Sequence, residues 1–284
     1  MGKTRTCWLI TNAASGSNDA DAVDRLAQEL AAAGAAPQRT VTLPDDVLPG
    51  RPEIESAGVE LLVIFTGDGT ANATIAGLAG WGGEVLILPG GTQNLLARSL
   101  HGEKPTEEII AALGRHQLEP RRPGTIRSRH GDALCEIVAG PGASWSDVRE
   151  ALREGAVGEL ASAASEAIAQ TTAGPTVVVA EPALGKPEGY PAVRLYPKDG
   201  AIAVDGYGAD TLADYARAGL AILQRNFREG PHDELGLQRE VVCRSDDPIE
   251  LMIDGERVTG ETEERFTLAP CGVTLLASPV TETA

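Results

Sequence analysis

The sequence has few aromatic side chains and no long apolar run. Aromatic residues make up 4% of the 284 residues, and no apolar run approaches the roughly 20 residues that a membrane-spanning helix needs. The N-terminal stretch MGKTRTCWLITNAASG has no apolar core of signal-peptide length. These absences predict a cytoplasmic protein, with at most transient peripheral contact at the inner face of a membrane.

Cysteine and histidine are also scarce. The four cysteines are far apart and form no CxxC pair, and the four histidines are scattered without an HExxH pattern. Zinc sites in proteins are built from such closely spaced ligands, so a zinc site is not expected. Reduced thiols in the core are the simplest interpretation of the cysteines.

Basic residues are outnumbered. Lys and Arg number 24 against 41 Asp and Glu, which gives a formal net charge of −17. The electrostatic field of such a charge repels nucleic acid phosphate, so a DNA- or RNA-binding role is not expected. It also gives no general attraction to anionic membrane surfaces. A small pocket can still differ in charge from the whole molecule.

The first third of the chain alternates strand and helix patterns. CWLITN, PQRTVTL, VELLVIF and GEVLILP have the length and apolar content of strands, and VELLVIF is nearly continuous, as in a strand buried on both faces. DADAVDRLAQELAAAG, TANATIAGLAG, TQNLLARSL and PTEEIIAALG have helical patterns. This alternation predicts a doubly wound α/β domain with a parallel sheet over residues 1–123.

The pattern changes near EPRRPGTIR, residues 119–127, and strand-like segments dominate beyond it. They are ALCEIVAG, PTVVVAEP, YPAVRLYP, GAIAVDG, LQREVVCR, PIELMIDGE, ERFTLAP and GVTLLAS. Turn residues separate them, which favours an antiparallel, β-sandwich-like domain over residues 124–284. Helical inserts are expected at about 146–170 and 210–228. A cleft between the two domains is the expected small-molecule site.

The stretch TGDGTANA, residues 66–73, directly follows an apolar strand. Its glycines permit positive φ and close approach of a ligand to the backbone, and the N-terminus of the next helix favours phosphate. A dinucleotide fingerprint needs a third glycine where Asn72 stands, and the GxxxxGK[ST] loop occurs nowhere. By itself the stretch is compatible with a phosphate cradle or with a tight strand-to-helix turn.

Two more loops of this kind follow other strands of the predicted sheet. PGGTQN (residues 89–94) comes after GEVLILP, and TNAASGSND (residues 11–19) comes after CWLITN. Because the carboxyl ends of parallel strands meet at one sheet edge, we expect these loops to form a shallow cradle of amide and hydroxyl donors.

The order NAASG, TGDGTANA, PGGTQNL and DGE (residues 254–256) resembles the diacylglycerol kinase catalytic superfamily, which includes bacterial lipid kinases and sphingosine and ceramide kinases. The resemblance spans nearly the whole chain. It implies an α/β nucleotide-binding domain followed by a β-sandwich-like domain, with ATP and Mg²⁺ as cofactors and a lipid hydroxyl as acceptor. A diacylglycerol-like or sphingoid lipid is the implied substrate, and a homodimer is left open.

The resemblance also implies roles for individual residues. Glu256 would be the general base that accepts the hydroxyl proton, Asp68 a second catalytic residue that also binds nucleotide, and Asp199 a magnesium ligand. The nucleotide-binding residues would be Asn12, Ser15, Gly16, Thr42, Gly67, Asp68, Gly69, Thr70, Asn72, Thr92 and Asn94. These residue types suit phosphoryl transfer, which depends on positioning and charge neutralisation.

Simpler interpretations stand beside these roles. DGE is a good hairpin turn, because Asp-Gly favours the type I′ geometry, and KDG (residues 198–200) is likewise a turn between strands. The chain also departs from the family pattern, since Ala73 and Leu95 stand where acidic residues are usual. Two alternative functions therefore stay open. The protein could be a catalytically weak or inactive homologue that binds a nucleotide or a lipid, or it could be a kinase of a soluble hydroxyl substrate.

Overall fold

The computed structural model describes residues 5–13, 20–91, 93–141, 175–208 and 232–279. The helices expected at about 146–170 and 210–228 lie outside these residues. The chain divides into two compact units, Met1–Pro123 with Pro270–Ala284, and Gly124–Ala269. No helix within the described ranges is long and apolar enough to cross a membrane.

The first unit alternates strands and helices along the chain. Its elements are β1 (Cys7–Asn12), α1 (Ala20–Ala32), β2 (Pro37–Leu43), α2 (Arg51–Ser56), β3 (Leu61–Thr66), α3 (Asp68–Gly77), β4 (Glu84–Pro89), α4 (Leu95–His101), α5 (Thr106–Gly114) and β5 (Glu119–Arg121), joined by β17 (Thr274–Ala277). They form one six-stranded sheet in the order β2-β1-β3-β4-β17-β5. β1 is parallel to β2 and β3, β4 is parallel to β3 and β17, and β5 runs antiparallel to β17.

Buried apolar side chains hold this sheet between its helices. All six residues of β3 are buried, which agrees with the continuous apolar run of a strand covered on both faces. Leu26 and Leu30 of α1 and Ile109 and Leu113 of α5 share a core cluster with strand residues such as Val63. Burying each such side chain contributes about 2 kcal/mol. The predicted mixed α/β class is confirmed.

The structure differs from the sequence interpretation at GVTLLAS. This segment was assigned to the β-rich half of the chain, but it forms β17, which pairs with β4 and β5 in the first unit. Leu275, Leu276 and Ala277 are all buried. A short apolar run without alternation suits the interior of a parallel sheet as well as it suits a sandwich core, so the pattern alone could not decide. The domain limits 1–123 and 124–284 stay a prediction.

The second unit consists of strands in two sheets. Its strands are β6 (Gly124–Ser128), β7 (Gly131–Ala133), β8 (Ile137–Ala139), β9 (Val178–Glu181), β10 (Ala192–Lys198), β11 (Ala201–Tyr207), β12 (Asp233–Gln238), β13 (Glu240–Arg244), β14 (Glu250–Ile253), β15 (Glu256–Thr259) and β16 (Glu263–Pro270). The sheets have the orders β12-β11-β10-β8-β14-β15 and β7-β6-β16-β13-β9. Side chains from both sheets, among them Leu195, Leu251, Val241 and Phe266, form one buried cluster.

Candidate functional site

The loops after β1, β3 and β4 leave the same edge of the parallel sheet. The strand register places Thr11 opposite Phe65 and Thr66 opposite Pro89, so the carboxyl ends of these strands are level. The strand order reverses at β1, which has β2 on one side and β3 on the other. Open α/β sheets bind ligands outside the carboxyl ends of their strands at such a switch point.

The glycines of two loops allow backbone to lie directly on backbone. A Cβ on Gly91 would be 2.6 Å from the Gly67 Cα, and a Cβ on Gly90 would be 2.6 Å from backbone atoms of Phe65 and Thr66. Gly67 itself has φ −73° and caps α3, so a positive φ is not the reason for glycine there. The β3–α3 and β4–α4 loops therefore form one compact layer, which side chains at positions 90 and 91 would separate.

Two side-chain hydrogen bonds tie this layer together. The Leu96 N–H at the start of α4 donates to Asp68 Oδ1 at 3.1 Å. Asn12 Nδ2, at the end of β1, donates to Thr70 Oγ1 in the first turn of α3 at 3.2 Å. Asp68 thus joins the two glycine loops, and Thr70 joins the β3–α3 loop to β1.

Asn94 organises the β4–α4 loop from within. The Gly91 N–H donates to Asn94 Oδ1 at 2.7 Å, and Asn94 Nδ2 donates to the Gly91 carbonyl at 2.9 Å. Asn94 has φ 52°, a left-handed conformation that asparagine tolerates better than most residues. Its side chain shapes the loop that holds predicted residue 92.

The other predicted nucleotide-binding residues are distributed around the same edge. Thr42 lies near the end of β2, opposite Thr11 of β1, and its Oγ1 accepts a hydrogen bond from Thr11 Oγ1 at 3.3 Å. The Thr42 N–H donates to Asp46 Oδ2 at 2.8 Å. Gly69 and Asn72 lie on α3, and both are partly buried. Three further predicted residues lie outside the described ranges: Ser15, Gly16 and Thr92.

Glu256 lies in the second unit, at the tip of a hairpin. Ile253 pairs with Glu256, and the two residues between them, Asp254 and Gly255, have φ values of 47° and 97°. Two positive φ angles are what a type I′ turn requires. The backbone geometry therefore confirms that DGE forms a hairpin turn. This turn leaves the Glu256 side chain exposed at the first position of β15. Its role as a base stays a prediction.

Asp254, the first residue of the same motif, is a residue that sequence reasoning missed. Its carboxylate is 4% exposed, and it accepts N–H bonds from Leu134 at 2.6 Å, Cys135 at 2.8 Å and Glu136 at 2.7 Å. Burial raises the pKa of the Asp254 carboxyl to about 6, against the effect of the three N–H donors. The sequence does carry a signal for it, because DGE contains two carboxylates, Asp254 and Glu256.

Asp199 occupies a second two-residue turn. Lys198 pairs with Ala201 across the β10–β11 hairpin, and Asp199 and Gly200 have φ values of 50° and 71°. The Asp199 side chain is exposed. Among the residues that the structure describes, no group of three or more His, Cys, Asp or Glu side chains could hold a metal ion. The magnesium role of Asp199 stays a prediction.

Sequence reasoning also missed a buried ionic cluster on the six-stranded sheet of the second unit, which contains β10 and β11. Arg194 Nε donates to Glu136 Oε2 at 2.8 Å, and its NH1 lies 3.7 Å from Asp205 Oδ2. Glu136 and Asp205 are 3% and 4% exposed, and burial raises the pKa of the Asp205 carboxyl, against the effect of His232 and Arg194. The signal was a single charged residue inside each of three apolar strand patterns.

A mostly parallel sheet with a switch point and glycine loops at its carboxyl edge is typical of α/β proteins that bind phosphate groups and nucleotides. Solved structures narrow the fold further. A crystal structure of a diacylglycerol kinase from Bacillus anthracis str. Sterne superposes with a TM-score of 0.64 at 17% identity, covering 98% of this chain and 99% of that one. A second structure from the same organism gives a TM-score of 0.66 at 17% identity with the same coverage.

The family model of the diacylglycerol kinase catalytic domain matches residues 6–126. This range contains the parallel strands β1 to β4 and all three predicted loops. Residues 6–126 therefore belong to the diacylglycerol kinase catalytic-domain superfamily. No curated protein matches the chain.

Proposed function

We propose that this protein is an ATP- and Mg²⁺-dependent kinase that transfers the γ-phosphate to a hydroxyl of a diacylglycerol-like or sphingoid lipid. The observation that carries the proposal is the backbone contact between the β3–α3 and β4–α4 loops at the sheet edge. This contact brings the start of α3 beside the second glycine loop within the family-matched segment. Phosphoryl transfer is catalysed mainly by such positioning of donors around the phosphates.

ATP would be held by backbone N–H groups at the start of α3, from Gly67 to Thr70, and by the hydroxyl and amide groups around them. Glycine at 90 and 91 supports this arrangement, because side chains there would separate the two loops. Mg²⁺ needs only one or two carboxylates besides phosphate and water oxygens. Asp68 offers a carboxylate at this edge, and its Oδ1 accepts the Leu96 N–H. Asp199 is the magnesium ligand that the family resemblance implies.

Glu256 would act on the acceptor. A carboxylate within hydrogen-bond reach of the lipid hydroxyl can take its proton as the oxygen attacks the γ-phosphorus, and such general-base help is worth about 10²- to 10⁴-fold in rate. The hairpin geometry supports this use, because it fixes the Glu256 backbone while leaving the side chain exposed.

The test is transfer of labelled phosphate from ATP into a panel of diacylglycerols and sphingoid bases, in mixed micelles and with Mg²⁺ present. We expect labelled product with at least one lipid. A matched panel of soluble acceptors, such as glycerol, sugar alcohols and nucleosides, runs beside it. Labelling confined to the soluble panel would replace the lipid acceptor by a soluble one. Absence of transfer to every acceptor, with ATP still bound, would end the kinase proposal.

Two substitutions favour a second candidate, a nucleotide- or lipid-binding homologue without turnover. Ala73 and Leu95 stand where the family pattern has acidic side chains, and Ala73 is exposed on α3 beside the glycine loop. Loss of two carboxylates would weaken the ordering of Mg²⁺ with ATP. This candidate predicts saturable binding of ATP or lipid in a calorimeter with no labelled product.

The location is proposed from the acceptor and the net charge, and the oligomeric state is a separate proposal. A cytoplasmic protein that meets its lipid by transient peripheral contact fits a net charge of −17, since general attraction to anionic lipid is absent. A homodimer remains part of the proposal. Sedimentation of the protein with and without vesicles of neutral lipid measures both properties.

A further inference from the structure

The Asp254 carboxylate is the centre of a clamp between two segments of the second unit. Both of its oxygens are used: Oδ2 accepts the Leu134 N–H, and Oδ1 accepts the N–H groups of Cys135 and Glu136. The donors belong to the segment between β7 and β8. We call the carboxylate and these three N–H groups the Asp254 clamp. A buried carboxylate with three short N–H bonds is a strong and directional anchor.

The clamp lies two residues before Glu256, where the hairpin enters an edge strand. β15, which begins at Glu256, is the last strand of its six-stranded sheet. Its ladder bonds therefore come from β14 on one side. The Asp254 N–H also donates to the Glu136 carbonyl at 3.0 Å, which extends the β14–β8 pairing to the turn. The backbone at Glu256 is thus fixed through Asp254.

We propose that Asp254 is a positioning residue, which holds the hairpin tip so that Glu256 presents its carboxylate to the acceptor hydroxyl. The catalytic part rests on the proposed function, because it takes Glu256 as the base. The clamp would act through Glu256 alone and would not contact the substrate. A base displaced by about 1 Å loses roughly 100-fold in rate, so a positioning residue can matter almost as much as the base itself.

Turn preference alone does not explain this carboxylate. The Asp199-Gly200 turn of the same sheet has the same two-residue length and two positive φ angles, yet Asp199 is exposed. Asp254 in the equivalent turn position is buried and bonds three N–H groups of another segment. The clamp is therefore an addition to what an Asp-Gly turn requires.

The decisive variant is Asp254→Asn. Asn-Gly is at least as good a type I′ turn as Asp-Gly, so the turn is kept. The amide has one acceptor oxygen, and its NH₂ group must face one of the three N–H donors, so the clamp opens. We expect kcat to fall about 100-fold with the KM for ATP unchanged within about twofold, since positioning of the base is lost and the nucleotide loops are untouched. Asp246→Asn, in an exposed turn, is the activity control.

A double variant separates positioning from a general structural role. If Asp254 acts only through Glu256, then Asp254→Asn combined with Glu256→Gln will be no slower than Glu256→Gln alone. Multiplication of the two losses would overturn the proposal, because Asp254 would then act by another route. Wild-type kcat in Asp254→Asn, or in Glu256→Gln, would overturn it as well.

Cys135 reports on the clamp without any reference to activity. Its N–H is one of the three donors, and it is half-buried while Cys7, Cys243 and Cys271 are buried. We expect a thiol reagent to label Cys135 about tenfold faster in Asp254→Asn, as when a charge-assisted hydrogen bond is lost. Asp199→Asn should leave the labelling rate unchanged. An unchanged rate in Asp254→Asn would show that the clamp does not hold this segment.

Wild-type protein provides the remaining measurement, which applies even if Asp254→Asn fails to fold. Hydrogen exchange at residues 134–136 should be slow, because these N–H groups bond a buried carboxylate. Exchange as fast as in an exposed loop would overturn the proposal. Protected amides in a protein that transfers no phosphate would instead mean that the proposed kinase function has failed while the clamp exists.

Discussion

At the scale of single residues, Asp68 combines one observed role with one proposed role. It was predicted to bind nucleotide and to take part in catalysis, and the structure shows it accepting the Leu96 N–H. These roles can be separated, because asparagine keeps an oxygen acceptor of the same reach but loses the charge. Alanine loses both.

We expect Asp68→Asn to reduce kcat/KM about 100-fold with little change in stability, because an electrostatic contact to Mg²⁺–ATP is lost. Asp68→Ala should be equally inactive and about 1 kcal/mol less stable, since the N–H at the start of α4 loses its acceptor. Steady-state kinetics and urea unfolding measure the two effects. Full activity in Asp68→Asn would restrict this residue to joining the two loops.

The sequence predicted which residues lie at the sheet edge better than it predicted the contacts that they make. Asn12, Thr70 and Asp68 were assigned to the cradle from the motifs, and the structure places them at one edge. Their bonds to each other and to Leu96 depend on how two loops pack, which a one-dimensional pattern does not contain. The partners of Asp254 were missed for the same reason, since its donors lie more than 100 residues earlier in the chain.

At the scale of elements, the packing of the two glycine loops gives a sharp test. In Gly91→Ala the new Cβ would be 2.6 Å from the Gly67 Cα, and backbone cannot yield as a flexible side chain does. We expect a loss of about 1–3 kcal/mol in stability and at least a tenfold loss in ATP affinity as the loops separate. Thermal unfolding and calorimetric titration measure these changes.

Gly82→Ala is the matched control, because a Cβ there meets nothing within 4 Å. It should bind ATP as tightly as the unsubstituted protein does. If Gly91→Ala also bound ATP normally, the loop contact would not be what shapes the nucleotide site.

Strands with strong apolar character were found from the sequence, and others were not. β3, β4, β10 and β11 lie where the apolar runs predicted them. β12, with the sequence DELGLQ, was missed because it lies at a sheet edge and is mostly exposed. β15, with ERVT, lies at the other edge of that sheet and was indicated only by the hairpin turn before it. An edge strand is stabilised by its one neighbour, so its own side chains carry little pattern.

At the scale of the whole molecule, stability should depend on pH through a buried histidine. His101 of α4 is 3% exposed and its Nδ1 lies 3.1 Å from Ser278 Oγ. Burial lowers its pKa to about 4. Between that value and the ordinary 6.5, the unfolded chain binds the proton and the folded chain does not. Stability is therefore lost as the pH falls through this range, by roughly 3 kcal/mol at most.

We expect His101→Gln to remove this loss, so that the difference in unfolding free energy between the variant and the unsubstituted protein changes steadily from pH 6.5 to pH 4. The difference is the quantity to measure, because the raised pKa of Asp254 acts with the opposite sign in the whole protein. His116→Gln, at an exposed position, is the control. A constant difference for His101→Gln would contradict the prediction.

The net charge of −17 should govern how the protein meets a membrane. In vesicles that contain anionic lipid, we expect transfer to the acceptor to rise as ionic strength increases from 10 to 150 mM. The screening length then shortens from about 30 Å to about 8 Å, and repulsion weakens. Transfer in neutral vesicles is the control and should change little. A fall in the rate with anionic vesicles would point to a local basic docking surface instead.

Strand β17 has a consequence for how the protein is made. It lies between β4 and β5, although about 150 residues of the second unit are synthesised before it. The first sheet therefore cannot be completed while only β1 to β5 have been synthesised. The edge of β4 stays unpaired until Thr274–Ala277 has left the ribosome. A fragment that stops at residue 123 would keep that edge permanently. It should aggregate on expression, whereas the same fragment co-expressed with a peptide covering residues 270–284 should be rescued.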